Sequence, residues 1–311
     1  MLIDNILSPQ ILFFVLGLLS EMVKSDLKIP DQISRYLSIY LIMAIGFKGG
    51  IAIATTDNFS VQFIITIIAG IVSGFVMPFI GYFALTSTTK LDKITAAALA
   101  AHYGSVSVVT FITAISFLRM NNIEYEGYMI AVMALMEVPA IFSGLYISKK
   151  YGGIKAKKTA VMIKEILAND AIILLLGSFI IGYLTGERGN QNMAGFLITP
   201  FQGILALFLL DMGIMVAKHF HHLKYFSLSL VAFAIYMPLI GAFIGLCSCY
   251  YIGLGLGSGF LLTTLMASSS YIAVTAAMRI ALPDAKTAIY IPTTLAITFP
   301  FNILIGIPFY F

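Results

Sequence analysis

Serines gather in two short clusters, His102-Tyr103-Gly104-Ser105-Val106-Ser107 and Ser268-Ser269-Ser270-Tyr271. Each lies mid-way along a long apolar segment. Hydroxyls at such a point, together with the N–H groups of a helix that starts there, can hold a small anion. The first turn of a helix leaves its N–H groups without intrahelical acceptors, and the helix dipole adds positive potential at that end. Hydroxyl oxygens can also coordinate sodium. This is binding chemistry. No Walker loop, HExxH, GxSG or redox motif accompanies it, and the serines lack a plausible base, so the chain is not expected to be an enzyme.

The elements around the clusters must bring them together. Interrupted apolar segments at matching places in two halves of a membrane chain point to a transporter's binding site. Gly104 is expected to permit the non-helical backbone, and Ser105 and Ser107 to open a new half-helix. The candidate site is Gly104, Ser105, Val106, Ser107, Ser268, Ser269, Ser270 and Tyr271. A lone Ser-x-Ser commonly bonds back to its own helix. Two clusters at corresponding positions favour a site.

Ionisable residues inside apolar spans are costly and mark function. Four occur: His102, Glu137, Asp170 and Asp211. Glu137 precedes Pro139 and is expected to face the first cluster as a cation ligand or proton carrier. Asp211 is expected near Lys48, with a structural ion pair as the alternative. Asp170 reads as interfacial and His102 as a neutral hydrogen-bonding group, with a proton role as the alternative. His219, His221 and His222 read as a basic interfacial turn, and Cys247 and Cys249 as small buried residues.

Composition sets the class. The 311 residues are 60% hydrophobic and 10% charged, against roughly 25% charged in soluble domains. The net charge of +4 is scattered, which excludes nucleic acid as a partner. Spans of about 20 residues are expected at 8–23, 30–47, 60–86, 93–118, 127–148, 165–184, 193–217, 225–251, 257–279 and 287–311. Asp4 alone precedes the first run, which reads as a retained span. Fifteen Lys and Arg fall in the odd-numbered breaks and three in the even ones. The odd breaks therefore face the cytoplasm, and both termini lie outside the plasma (inner) membrane.

The expected fold is an all-α polytopic membrane protein of about ten helices in two inverted five-span repeats, with spans four and nine broken. The first repeat is 1–148, the basic linker 149–164 and the second repeat 165–311. Val108-Val109-Thr110 aligns with Ala273-Val274-Thr275 at an offset of 165, as does Tyr125 with Tyr290; Phe47–Ile51 aligns with Leu210–Ile214 at 163.

Gly49-Gly50-Ile51-Ala52-Ile53, Gly104-Ser105-Val106-Ser107, Ile123-Glu124-Tyr125-Glu126, Glu137-Val138-Pro139-Ala140, Met212-Gly213 and Ala267-Ser268-Ser269-Ser270, in this order and spacing, resemble the sodium-dependent bicarbonate transporter family. The resemblance implies a mobile core moving against a second domain in an elevator-like motion, a homotrimer, and bicarbonate held with sodium between broken helices. By position it adds Thr110 to the site and places sodium at Ser107, Ser269 and Ser270. No other cofactor is implied. A PII-like regulator is an implied partner, for which the basic linker is short. Tyr271 stands where that family has Asp, Glu137 where it has Asp, and Val108 and Val109 where it has Gly and Ser.

The leading expectation is sodium-coupled uptake of a small anion, bicarbonate first. Proton coupling through Glu137 or His102, with another small anion or carboxylate as substrate, is the alternative within that class. A permease-shaped sensor that does not transport is the alternative outside it.

Overall fold

Apolar runs long enough to cross a bilayer become helices because a helix satisfies every backbone group within its own segment. The computed structural model describes residues 8–55, 61–152, 170–223, 226–271, 274, 275, 278 and 282–311, and no strand occurs among them. The helices are α1 (Pro9–Met22), α2 (Asp31–Ala54), α3 (Val61–Thr88), α4 (Lys93–Gly104), α5 (Val108–Met120), α6 (Met129–Gly152), α7 (Asp170–Met193), α8 (Phe201–Leu223), α9 (Leu228–Ile252), α10 (Leu256–Ala267) and α11 (Thr287–Tyr310). Six segments among the described residues are long and apolar enough to cross a membrane: α3, Lys93–Met120, α6, Phe201–Lys218, α9 and α11.

The chain divides into two compact units, each built from two separate stretches of the sequence. One comprises Met1–Asn58 and Ile173–Lys224, the other Phe59–Ile172 and Tyr225–Phe311.

In the first unit, α1 crosses α8 at Gly17 and Gly213. A Cβ on Gly17 would strike the Leu210 carbonyl, and one on Gly213 the Phe14 carbonyl. The same device joins α2 to α7, where Gly50 abuts the Phe179 carbonyl and Gly182 the Phe47 carbonyl. Small residues let backbones approach where lipid gives apolar side chains little reason to associate. Gly17 and Gly182 are 165 residues apart, and Gly50 and Gly213 163 apart. These are the two offsets seen in the sequence. The helix α7 turns at Gly186, whose φ of 51° an L side chain would resist.

The second unit is built around the broken segments. In α4 every residue from Thr95 to Gly104 is buried, and in α10 every residue from Gly257 to Ala267. The helix α3 packs on α4 and α6, and α9 on α10 and α11. The outer side of α3 exposes Ile64, Ile68, Val72 and Phe75, and that of α9 exposes Phe243 and Leu246, as lipid-facing surfaces require. The ends of the broken segments are tied in parallel fashion. The N–H of Glu126 donates to Ser258 Oγ at 2.9 Å, and the N–H of Lys286 to Thr95 Oγ1 at 3.1 Å. The helix α11 passes through π turns at Thr293–Thr298 and Asn302–Gly306, near Pro292 and Pro300, which lack N–H groups.

Residues 153–164 of the basic linker lie outside the described residues, as do the side chains of Asp170, His219, His221 and His222.

Candidate functional site

Both apolar segments break where the serines fall. The α-helix α4 ends at Gly104, Ser105 is extended (φ −93°, ψ 166°), and α5 begins after Ser107. The helix α10 ends at Ala267, Ser268 is extended (φ −85°, ψ 170°), and helix resumes by Val274 and Thr275. Gly104 has a different job from the one its type suggests. It is the last helical residue, and its missing side chain makes room for the Pro78 ring and the Gly74 carbonyl of α3. The extended backbone begins one residue later, at a serine.

The two breaks bond to each other. The N–H of Ser107 donates to Ser268 Oγ at 3.0 Å, and the N–H of Ser270 to the His102 carbonyl at 2.9 Å. Each break thus supplies an acceptor for the other, so neither leaves those buried N–H groups unpaired. Ser107 also caps α5, its Oγ accepting from the N–H of Thr110 at 3.2 Å and its carbonyl from Phe111 at 3.0 Å. Ser270 Oγ stands 3.5 Å from the N–H of Val274. Half-helices therefore start from both breaks within one buried region.

Several expected site hydroxyls are already committed. Ser268 Oγ donates to the Leu265 carbonyl at 2.8 Å, and Ser105 Oγ to Glu137 Oε2 at 2.6 Å. Three are not. The hydroxyls of Thr110, Ser269 and Tyr271 are buried with no hydrogen-bond partner among the described residues, although Tyr271 approaches Ser107. The Tyr271 ring packs edge-on against Phe299 at 5.2 Å. A buried polar group without a partner costs free energy, and three around one pair of breaks mark a place that a ligand completes. Val106 is buried in the first break and carries no side-chain polar group.

His102 is used by both ring nitrogens. Nδ1–H donates to the Ala98 carbonyl at 2.6 Å, and Nε2 lies 3.2 Å from Thr275 Oγ1, which itself bonds the Tyr271 carbonyl at 2.8 Å. Its ring packs on Tyr290 at 4.9 Å. Asp211 belongs to the first unit and does not meet Lys48. The Lys48 ammonium lies 4.3 Å over the Phe201 ring, whereas Asp211 neighbours Ser34 and Lys218, about 15 Å further along α8.

Two bracing residues escape a search for charged side chains. Asn302 Nδ2 donates to the Ala267 carbonyl at the end of α10, while its Oδ1 accepts from Tyr310 at 2.7 Å. Tyr103 meets Thr298 Oγ1 at 2.6 Å, and Thr298 donates to the Ala234 carbonyl. The signal for Asn302 was present, since it lies 165 residues after Glu137.

Among the described residues no three His, Cys, Asp or Glu side chains gather as a metal site. A cation here would meet hydroxyl and carbonyl oxygens, with Glu137, bonded to Ser105, as a carboxylate beside the first break. Comparison with curated proteins finds no match. The comparison with protein families matches residues 9–311, nearly the whole chain and both broken segments, to one family. A nearly all-apolar chain whose polar groups converge on paired helix breaks is what a small-ion carrier requires, and the chain belongs to the Na+-dependent bicarbonate transporter superfamily.

Proposed function

We propose that the protein takes up bicarbonate, or a closely similar small oxyanion, together with sodium. The observation that carries this reading is the trio of buried, unpartnered hydroxyls of Thr110, Ser269 and Tyr271 beside two helix starts. Hydroxyl donors and helix N-terminal amides suit a small oxyanion and need no cationic side chain. Ser107, Ser269 and Ser270 offer oxygens for sodium. Alternating access is elevator-like, the broken segments carrying the ions.

Ten spans in two inverted repeats underlie this mechanism in our reading, with residues 1–148 and 165–311 as the repeats. Support comes from the paired glycine crossings at offsets 165 and 163, and from the reciprocal bonds between the breaks. The protein works as a homotrimer in the plasma membrane with both termini outside, and the basic linker is where a PII-like regulator would dock.

Replacing Ser107 or Ser269 with Leu fills the site with an apolar group. Uptake of labelled bicarbonate into proteoliposomes should then be lost while the protein remains monodisperse. Undiminished uptake would sink the site assignment.

A further inference from the structure

Aromatic rings run in a string along α3 and α6 and end at a cation. Phe75 meets Phe79 at 5.5 Å, and Phe79 meets Tyr146 at 6.0 Å. The Lys150 ammonium lies 5.7 Å from the Tyr146 ring and 5.3 Å from that of Tyr151, which stacks on Tyr82 at 5.4 Å. Phe75 and Tyr146 are exposed, as are Lys149 and Lys150. One side of the second unit therefore passes from lipid-facing rings, through phenols, to two ammonium groups.

More charge gathers at this end. A Cβ on Gly152, the last residue of α6, would lie 3.3 Å from the Ile94 side chain in the first turn of α4. That packing brings Lys90 and Lys93, both exposed, to the same end of the unit as Lys149 and Lys150. Lys149 and Lys150 close a helix, where its dipole favours cations, whereas Lys93 opens one, where the dipole opposes them. Helix chemistry thus accounts for the first pair and not for Lys93. Asp92 is already engaged, since it caps α4 through the N–H of Thr95 and pairs with Lys286 at 3.3 Å.

A basic end above an exposed aromatic face has the layered chemistry of a phospholipid, with phosphate outermost and acyl chain beneath. Tyrosine rings settle at the headgroup level, and lysines in that layer attract anionic lipid. A soluble anion would leave the exposed rings without a role, and an uncharged lipid would leave the lysines without one.

We propose that the face formed by α3 and α6 holds an anionic phospholipid. Its phosphate sits at Lys149 and Lys150, with Lys90 and Lys93 beside them, and one acyl chain lies along Tyr146, Phe79 and Phe75. Both helices pack on α4, so this lipid borders the segment that carries the first break. The assignment is independent of which ions the breaks bind.

The chain contains no Trp, so Tyr146→Trp supplies a single fluorescent reporter on this face. Phe83, whose ring meets Tyr151 at 5.9 Å, supplies a second as Phe83→Trp should the first disturb folding. Phe243→Trp, on the exposed side of the uncharged helix α9, is the reference. Each protein is reconstituted into vesicles that mix brominated phosphatidylglycerol with plain phosphatidylcholine, and into the converse mixture. Quenching by bromine then gives the relative affinity for the two lipids at each reporter. At Tyr146→Trp phosphatidylglycerol should be preferred about fivefold or more, and at Phe243→Trp the two lipids should bind about equally. Adding Lys149→Gln and Lys150→Gln should bring the preference down to that of the reference, with helix content by circular dichroism unchanged; Lys150→Gln alone should lower it in part. Glycerol phosphate, which has the phosphate and no acyl chain, should leave the quenching as it is. A preference at Tyr146→Trp no greater than at Phe243→Trp, or one that the lysine variants leave intact, would overturn the proposal. Relief of quenching by glycerol phosphate would overturn lipid as the occupant and point to a soluble phosphate ligand.

Discussion

Ser107 and Ser268, 161 residues apart, are joined by a hydrogen bond of 3.0 Å from the backbone N–H of one to the hydroxyl of the other. This bond ties the start of α5 to the break that follows α10. Ser268→Ala removes the acceptor and leaves a buried N–H unpaired, at a cost of about 1–3 kcal/mol. Thermal unfolding in micelles, followed by circular dichroism, should show a lower midpoint for Ser268→Ala. Ser268→Thr, which keeps the oxygen, should recover part of the loss.

The unpartnered hydroxyls should behave in the opposite sense. Thr110→Val, Ser269→Ala and Tyr271→Phe each remove a buried polar atom that has no hydrogen-bond partner among the described residues, Tyr271 only approaching Ser107. Each should leave stability unchanged or raise it by up to about 1 kcal/mol. Each should also weaken bicarbonate uptake at least several-fold. Loss of stability and uptake together would mean that these hydroxyls serve the fold.

Glycines divide by what surrounds them. Gly17→Val and Gly182→Val push side chains into neighbouring backbone, and each should cost about 1–3 kcal/mol or more. Gly177 in α7 has open space where its Cβ would be, so Gly177→Ala should gain up to about 1 kcal/mol from helix propensity. Melting midpoints of the three variants check the contrast directly.

Asp92 gives stability a pH dependence at one end of α4. Burial works against its ionisation. The N–H and hydroxyl of Thr95 and the Lys286 ammonium at 3.3 Å outweigh that and hold the carboxyl below its ordinary value. A carboxyl depressed in the fold stabilises it above the unfolded value, and that stability is lost as pH falls through the folded one. Asp92→Asn should therefore melt below wild type at neutral pH, and the gap should close in acid. Asparagine still caps the helix, so the loss is that of the charge alone, a few tenths of a kcal/mol up to about 1 kcal/mol for so exposed a pair.

Six spans were legible among the described residues because membrane helices write their length in apolar residues. The expected 60–86 became Val61–Thr88, and 225–251 became Leu228–Ile252. The breaks were legible as serines in apolar surroundings. What each serine does was not, because it depends on contacts far along the chain. Ser105 is spent on Glu137 and Ser268 on Ser107, whereas Ser269 between its two neighbours is left without a partner. Gly104 was read as a point of backbone freedom, yet Pro78, 26 residues earlier, sets its role. Asp211 and Lys48 sit in mid-span on neighbouring helices, but antiparallel packing of α2 on α8 carries them apart. Asn302 was passed over because it is uncharged.

The most direct test of the account is labelled bicarbonate uptake into proteoliposomes, with and without an inward sodium gradient, for wild type and for Ser269→Ala and Thr110→Val. The account predicts sodium-driven uptake in wild type and at least a several-fold loss in both variants, with folding intact. Uptake that ignores sodium, or variants that transport as wild type does, would contradict it.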